Sequence, residues 1–371
     1  MKFVIIDTYY QGFLNNFWNK NKDFRTKKYK QIKKKLLDAC FGTSDFYSYN
    51  LKKIGHKAVD LIVNDEILQY KWAKENGIKV SQTNLFSKLQ SLPYIHKFIG
   101  RPDWVQKVAL EQIKKENVDI IYIQDLSILN PDTLRQAKRY CKLLVGQIAC
   151  PLSAKVNLKE FDLIITSFPH YVDKFKKMGI NSEYLPLAFE SRILKKIKSV
   201  NKKYDLTFVG GISPSHVKGT KMLNFIANKL RLDVWGYGKE LLPHSSKLYR
   251  YHHGQAWAME MYQKIAESKI TINRHIDVAE NYANNMRLFE ATGMGALLIT
   301  DKKKNLSSLF KVNKEIVEYD SNKELFDKIN YYLSHDKERE EIAKNGQSRT
   351  LKDHTYNIRM KELVKIISGY V

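Results

Sequence analysis

An apolar run meets two glycines and a polar turn in the stretch Asp205-Leu206-Thr207-Phe208-Val209-Gly210-Gly211-Ile212-Ser213. The run has the length of a buried strand, and a helical pattern follows it over 218–230. Glycines at such a junction let the backbone approach a ligand, and their N–H groups join the helix N-terminus in attracting an anion. The spacing is neither Gly-x-Gly-x-x-Gly nor that of a P-loop, so it predicts neither a dinucleotide nor a nucleoside-triphosphate site. An ordinary strand-to-helix turn is the alternative.

Strand-like and helix-like segments alternate on both sides of this stretch. The predicted strands cover 3–7, 57–63, 119–125, 142–149, 162–166, 205–209, 232–235, 269–273, 296–300 and 315–319. Such alternation is typical of the α/β class, with parallel sheets covered by helices on both faces. We predict two doubly wound domains, 1–188 and 189–355, facing a central cleft, with a C-terminal helix over 356–371 that packs back on the first. Open sheets of this kind bind ligands outside the carboxyl ends of their strands.

Size and composition agree with two folded domains. The chain has 371 residues, of which 43% are hydrophobic and 27% charged. No apolar run approaches the roughly 18 residues of a membrane span, and Met1-Lys2 leads directly into a strand, so no signal peptide is expected. Cys40, Cys141 and Cys150 form no Cys-x-x-Cys pair. We therefore expect a cytoplasmic protein without a metal site.

A formal net charge of +24 is the unusual feature of the composition. Residues 1–40 contain ten Lys or Arg against three Asp or Glu, and 27–37 reads as a basic helix. A solvated helix face would explain this. The alternative is attraction of residues 20–39 to an anionic surface, such as the inner face of the cell membrane or a polyanionic acceptor. Nucleic acid would fit the charge, but no nucleic-acid-binding motif accompanies it.

A second motif lies at 284–300, where a short helix ends at Gly293-Met294-Gly295 and an apolar strand follows. Arg287 and Glu290 are three residues apart, so they lie on one face of that helix. An ion pair within the helix would account for them. In the functional interpretation, the Glu290 carboxylate accepts hydrogen bonds from two ribose hydroxyls. Arg287, with Asn284 just before the helix, would then meet phosphates.

These two motifs, with the ending 337–346 and 354–359, resemble the group 1 glycosyltransferases, nearest the branch of the spore-maturation protein CgeB. The runs 47–56 and 69–77 are similar to that branch more loosely. The resemblance implies a GT-B fold of two Rossmann-like domains. It also implies a UDP- or GDP-linked sugar as substrate, held by the C-terminal domain, and no metal or other cofactor. It favours retention of the anomeric configuration.

Carried over position by position, the resemblance implies that Glu290 binds the ribose and that Gly210-Gly211 bind the phosphates. Lys218 is the candidate for the cation that accompanies this phosphate loop. The wider superfamily often has another acid separated from the first by seven residues. That position is Tyr282 here, and the nearest acid is Glu280. The donor-sugar contact that such an acid would make is therefore in question.

Other candidates lie at strand ends, where a surface loop or simple packing would also explain them. His275 is a candidate to touch the donor sugar, and Asp125 and His170 are candidate acceptor-side groups or bases. The remaining donor-side candidates are Ser213, Trp235, Gly236 and Arg274. The Trp235-Gly236 pair would support the base, and Arg274 would contact the diphosphate.

The sequence thus predicts a glycosyltransferase that moves a sugar from a nucleotide-diphosphate sugar to a glycan, lipid-linked or protein acceptor, as in polysaccharide biosynthesis. Without a metal, fixed cations and amides would meet the charge that grows on the leaving group. A sugar-nucleotide 2-epimerase is one alternative, although few histidines and acids lie near the motifs. A non-catalytic binder of anionic surfaces or nucleic acid is another.

Overall fold

The computed structural model describes residues 1–80, 102–153, 156–198 and 200–371, which form two compact units. Unit 1 consists of Met1–Thr166, Val172–Glu183 and Leu363–Val371. Unit 2 consists of Ser167–Tyr171 and Tyr184–Glu362. The main division falls before Tyr184, close to the predicted boundary at 188. The end of the chain belongs to unit 1, although the helix that contains it begins in unit 2.

Unit 1 is built on a six-stranded sheet in the part of the chain that is described. Its strands are β1 Lys2–Asp7, β2 Lys57–Ile62, β3 Ile120–Ile123, β4 Leu143–Ile148, β5 Leu163–Thr166 and β6 Ser182–Tyr184. The order is β2-β1-β3-β4-β5-β6. The pairs from β2 through β5 are parallel, and the central strands are buried along their whole length, as the continuous apolar runs predict.

Some helices of unit 1 begin at a capping side chain, such as that of Asp65 or Asn130. The helices are α1 Gln11–Lys20, α2 Tyr29–Asp38, α3 Phe46–Lys53, α4 Glu66–Glu75, α5 Asp103–Glu116, α6 Pro131–Lys138 and α7 Pro169–Lys177, of which α7 starts in unit 2. The Asp65 carboxylate accepts the N–H groups of Ile67 and Leu68 at the start of α4. The basic helix predicted at 27–37 is confirmed as α2, which buries Ile32 and Leu36.

Unit 2 contains a second parallel sheet in the order β11-β10-β9-β7-β8. Its strands are β7 Tyr204–Val209, β8 Asp233–Trp235, β9 Ser268–Asn273, β10 Leu297–Asp301 and β11 Val317–Tyr319. Its helices are α8 Ile193–Lys196, α9 Val217–Ala227, α10 Lys247–Tyr251, α11 Met259–Ala266, α12 Met286–Gly293, α13 Leu306–Leu309, α14 Asn322–Ser334, α15 Asp336–Asp353 and α16 Tyr356–Ile367. The core lies between the strands and helices α9 and α14, with side chains such as Ile226, Ile270 and Ile329.

Residues 200–203, which precede β7, are exposed and anchored to unit 2. The Lys202 ammonium donates hydrogen bonds of 2.9 Å to the carbonyls of Ala266, Ser268 and Gly295. Lys203 forms a 2.6 Å ion pair with Glu267. Lys202 therefore caps carbonyls at the amino edge of the sheet, the role that cations have at helix C-termini, and Lys203 pairs with a carboxylate.

Both sheets reverse their strand order beside their first strand, which is where α/β sheets bind ligands. In unit 1, β1 lies between β2 and β3; in unit 2, β7 lies between β8 and β9. At the carboxyl ends of these strands lie Asp7-Thr8 and Gln124-Asp125 in unit 1, and Gly210-Gly211 and Arg274-His275 in unit 2. The topology thus brings several sequence candidates together in unit 2 and places Asp125 at the corresponding point of unit 1.

Candidate functional site

A small recess, partly open to solvent, lies at the reversal point of unit 2. Gly211, Lys218, Arg274 and His275 are among the residues that line it. Their sources are the turn after β7, the first turn of α9 and the segment after β9. Backbone N–H groups, a helix N-terminus and two cations in one recess form a site suited to an anion.

The turn after β7 is interlocked with the turn after β8. The Gly210 N–H donates to the Trp235 carbonyl over 2.9 Å, and Ile212 N–H donates to the Tyr237 carbonyl over the same distance. A Cβ atom on Gly236 would lie 1.9 Å from the Gly210 oxygen. The prediction of two free amides is therefore wrong for Gly210. Gly211 is the glycine whose N–H lacks a hydrogen-bond partner among the described residues.

The first turn of α9 presents Lys218 at the recess. Its ammonium lies 3.6 Å from an Asp277 carboxylate oxygen, and both side chains are more than half exposed. Such a pair contributes little to stability and leaves the cation available to a ligand. Ser213, a predicted donor contact, instead shares a 2.7 Å hydrogen bond with His216 Nδ1. Burial lowers the pKa of His216, although Asp277 opposes this shift.

After β9, Arg274 and His275 have different surroundings. Arg274 lines the recess and packs near Gly219 of α9, where its Cδ would be 3.8 Å from an added Cβ. The His275 ring is buried, and its Nδ1 lies 2.6 Å from Asp301 Oδ1. Sequence reasoning missed Asp301, since its partner is 26 residues away in the chain.

Arg287 and Glu290 lie on one face of α12, as their spacing predicts. Arg287 Nη1 and Glu290 Oε2 are 2.9 Å apart, and the Tyr262 hydroxyl donates to Glu290 Oε1 over 3.3 Å. Asn285 caps the helix by accepting the Leu288 N–H. Glu290 is 5% exposed, and neither member of the pair is among the residues that line the recess. The structure thus contains the ion pair and leaves a ribose contact as a prediction.

Asn284, just before α12, has a buried side-chain amide without hydrogen-bond partners in the described part of the chain. The side chain is 6% exposed, and neither Oδ1 nor Nδ2 has a hydrogen-bond partner in the described part of the chain. Leaving such a group unpaired costs about 1–3 kcal/mol. Polar groups of this kind are found where a ligand supplies the missing partners.

His170 was predicted as an acceptor-side group of the first domain, but it belongs to unit 2. Residues 167–171 belong to unit 2, and the His170 ring stacks on Tyr282 with centroids 5.2 Å apart at 15°. Its Nε2 lies 3.8 Å from Glu280 Oε1. Glu280 has a φ of +50°, a strained conformation of the kind that clusters at functional sites. Tyr282 occupies the position at which the resemblance expects an acid, and its ring instead stacks on His170.

Trp235 does not present its ring to a ligand. The ring is 5% exposed and packs against Tyr204 and His253, with centroid distances of 4.8 and 4.7 Å. The packing explanation therefore holds for Trp235, because its strand lies at the edge of the sheet and its ring fills that edge. The ring exposed at this strand tip is Tyr237, which lies over Gly211.

The reversal point of unit 1 carries a connected polar network. Thr43 Oγ1 lies 3.0 Å from Asp7 Oδ2 and 2.7 Å from Gln124 Oε1. Thr8 Oγ1 donates to Asp125 Oδ2 over 3.1 Å. Burial raises the pKa of Asp7 to about 7, against hydrogen bonds from Thr8 and Thr43 that lower it. Asp125 was predicted; Asp7 was missed, although its place at the end of the first strand was a usable signal.

The described ranges contain no group of three or more His, Cys, Asp or Glu side chains placed to hold a metal ion. No helix within them combines the length and the apolar character needed to cross a membrane.

Comparison with known proteins identifies the fold. Residues 218–365 match the model of a family described as glycosyl transferase-like. The HepE protein of Anabaena, solved with UDP-glucose, superposes with a TM-score of 0.59, 13% identity and full coverage of both chains. A glycosyltransferase from Rickettsia africae and the sucrose-phosphate synthase of Thermosynechococcus elongatus each give 0.56, at 12% and 10% identity, covering 100% of this chain and 98% of theirs. A sequence search among curated proteins finds no match. The chain has the two-domain GT-B fold of glycosyltransferases.

Proposed function

We propose that the protein is a glycosyltransferase that takes its sugar from a nucleotide-diphosphate donor. The observation that carries this proposal is the recess of unit 2, where Gly211, Lys218 and Arg274 meet at the reversal point of the sheet. The match to a glycosyl transferase-like family begins at Lys218 and includes Arg274, whereas Gly211 precedes the matched range. Structures of HepE with UDP and with UDP-glucose favour uridine as the nucleoside.

In the proposed reaction, the bond between the sugar and the diphosphate breaks as an acceptor hydroxyl attacks the sugar. Negative charge then grows on the nucleoside diphosphate, and the cations of the recess stabilise it. Lys218 and Arg274 supply the stabilising positive charge without a metal, and the Gly211 N–H adds a fixed dipole. Glu290, oriented by Arg287, would bind the ribose. Retention of configuration rests on the resemblance alone.

The acceptor is assigned to the reversal point of unit 1. Asp7, Thr43, Gln124 and Asp125 offer hydrogen-bond donors and acceptors suited to hydroxyl groups. This chemistry fits a glycan or the sugar of a lipid-linked acceptor, with Asp125 as a proposed acceptor-side group.

A panel of nucleoside diphosphates tests the donor assignment by thermal unfolding. We expect UDP to stabilise the protein by about 2.7 kcal/mol at a hundred times its Kd, and GDP and CDP to do so less. Lys218→Met should reduce the UDP shift. Lys221→Met, an exposed lysine on the same helix outside the recess lining, should leave it unchanged. Salt-sensitive binding of DNA or RNA without any nucleotide response would support the non-catalytic alternative instead. Conversion of UDP-sugar without acceptor would support the epimerase.

Peripheral contact with an anionic membrane through residues 20–39 is the second part of the proposal. On α2 the apolar side chains face the core, and Lys30, Lys34 and Lys35 are exposed. Lys33 is different, because it is partly buried, and burial lowers its pKa although Asp60 opposes the shift. Lys33 is therefore not part of the proposed surface.

Flotation with phosphatidylserine vesicles tests this surface. Neutralising Lys27, Lys28, Lys30, Lys34 and Lys35 together should abolish flotation, because each exposed lysine contributes about 1 kcal/mol near an anionic leaflet. The matched control neutralises five exposed lysines of unit 2, namely Lys311, Lys314, Lys323, Lys344 and Lys352. If both five-lysine variants lost flotation equally, net charge would explain vesicle binding and the assignment of the surface to α2 would be wrong.

A further inference from the structure

Tyr10, three residues after the end of β1, has the most exposed large apolar side chain in the described part of the chain, at 61%. It occupies the N-cap of α1, where its side chain makes no hydrogen bond to the helix. Ser, Thr, Asp and Asn are preferred at an N-cap, because their side chains accept a backbone N–H of the first turn. The sequence therefore gives up a helix cap and places an aromatic ring in solvent. Such departures from local preference are expected at functional sites.

The Tyr10 ring is held in place by its neighbours. It packs against the Phe41 ring with centroids 5.6 Å apart at 70°, and the Phe41 ring stacks on that of Phe13 at 4.0 Å and 7°. On the backbone side, the Asn64 amide accepts the Tyr9 N–H over 2.9 Å and donates to the Tyr9 carbonyl over 2.7 Å. A ring on such a fixed support loses little conformational freedom when a ligand packs on it.

The polar network at the end of β1 belongs to the same two segments as this ring. Thr8 lies two residues before Tyr10, and Thr43 lies two residues after Phe41. Two residues of extended chain span at most about 7 Å, so one ligand can reach both the ring and the network. The Thr43 hydroxyl lies 3.0 Å from Asp7 Oδ2, and the Thr8 N–H donates to the other oxygen. A carboxylate has about four lone-pair sites, which leaves some for further donors.

An aromatic face beside groups that bind hydroxyls suits a sugar ring. A pyranose has C–H groups on a flat face and hydroxyl groups around its rim. The C–H groups pack on the electron-rich face of an aromatic ring, and the hydroxyl groups donate to carboxylate and hydroxyl oxygens. A serine or threonine side chain of a protein acceptor offers no such face.

We infer that the acceptor is a sugar residue whose ring stacks on Tyr10 while Asp7 and Thr43 bind its hydroxyl groups. The inference rests on the proposed function, because it specifies the acceptor of the same transfer. It selects a glycan or a lipid-linked sugar and excludes a protein side chain. Tyr10 then sets the affinity for the acceptor and has no part in binding the nucleotide.

Saturation-transfer NMR in the presence of UDP tests this stacking with the methyl glycosides of glucose, galactose, mannose and N-acetylglucosamine. We expect at least one glycoside to bind, with the strongest saturation on the C–H protons of one face. Tyr10→Phe keeps the ring and should keep the affinity, whereas Tyr10→Asn should weaken binding of that glycoside about tenfold. Tyr140→Asn is the matched control and should bind as the wild type does. Tyr140 is 37% exposed and precedes β4, at the opposite edge of the same sheet.

Thermal unfolding and UDP titration of the same variants distinguish a binding role of Tyr10 from a structural one. The new asparagine can cap α1, so Tyr10→Asn should unfold at or above the wild-type temperature and bind UDP normally. A lower unfolding temperature with weakened UDP binding would make the ring structural and overturn the inference. Equal glycoside binding by Tyr10→Asn and Tyr10→Phe would overturn it as well, as would a wild-type protein that binds UDP but none of the glycosides. A wild-type protein that binds neither UDP nor a glycoside would overturn the proposed function with it.

Discussion

Glu290→Ala should lose nucleotide binding more completely than any other single change in unit 2. In the proposed complex, removing the carboxylate eliminates two charge-assisted hydrogen bonds to ribose hydroxyls, each worth about 1.5–3 kcal/mol. We therefore expect the Kd for UDP to rise at least about a hundredfold, as measured by titration calorimetry. The same change leaves Arg287, whose side chain is 14% exposed, without its carboxylate partner. Breaking such a pair costs about 3 kcal/mol of folding free energy.

Loss of fold and loss of function need to be separated in this experiment. Replacing both members, as Arg287→Leu with Glu290→Leu, removes the unpaired charge and should restore much of the stability while UDP binding stays absent. Arg359 and Glu362 form a matched control, since they are also three residues apart with Nη1 and Oε2 2.9 Å from each other. Glu362→Ala should bind UDP normally. If Glu290→Ala kept wild-type affinity, the ribose assignment would be wrong.

The strands could be predicted because most of them are continuous apolar runs. The ten predicted strands are all present, within two residues at either end. Strand β6 was missed because its three residues include Ser182 and Glu183, which give no apolar pattern. Helix α11 was missed as well, although its Tyr262 holds the predicted acid Glu290. The alternation of strands and helices predicted that the sheets are parallel. It did not predict the order of the strands within each sheet.

The site was predictable in residue type and less so in geometry. Lys218 and the Arg274-His275 pair were found because they follow strands of the second sheet. The hydrogen bond that occupies the Gly210 amide comes from a residue 25 positions later, and no local pattern reveals it. Likewise, His170 was assigned by its position in the N-terminal half. The chain joins unit 2 for the five residues Ser167–Tyr171 before returning to unit 1.

Gly236→Ala should disrupt the recess from outside its lining. The new Cβ would lie 1.9 Å from the Gly210 carbonyl oxygen, and the residue has a φ of +153°. The obstacle is backbone, so the turn that contains Gly210 and Gly211 must move. We expect the free energy of unfolding to fall by about 2–4 kcal/mol, the sum of overpacking and backbone strain. UDP affinity should fall at least about tenfold, because the Gly211 amide moves with the turn.

Substitutions at two other glycines separate the contribution of backbone strain from that of the steric clash. Gly55, at the end of α3 in unit 1, has a φ of +90° with open space around it, so Gly55→Ala introduces strain without a clash. It should destabilise the protein by about 1 kcal/mol and leave UDP binding unchanged. Gly219 lies within α9 and lines the recess, where its Cβ would make an ordinary 3.8 Å contact with Arg274. Gly219→Ala should stabilise the protein by about 0.5–1 kcal/mol without weakening UDP binding. Denaturant unfolding and calorimetry of the three variants give both quantities. If Gly236→Ala lost stability but kept its affinity for UDP, the turn after β7 would be a structural element only, and the diphosphate would have to bind elsewhere.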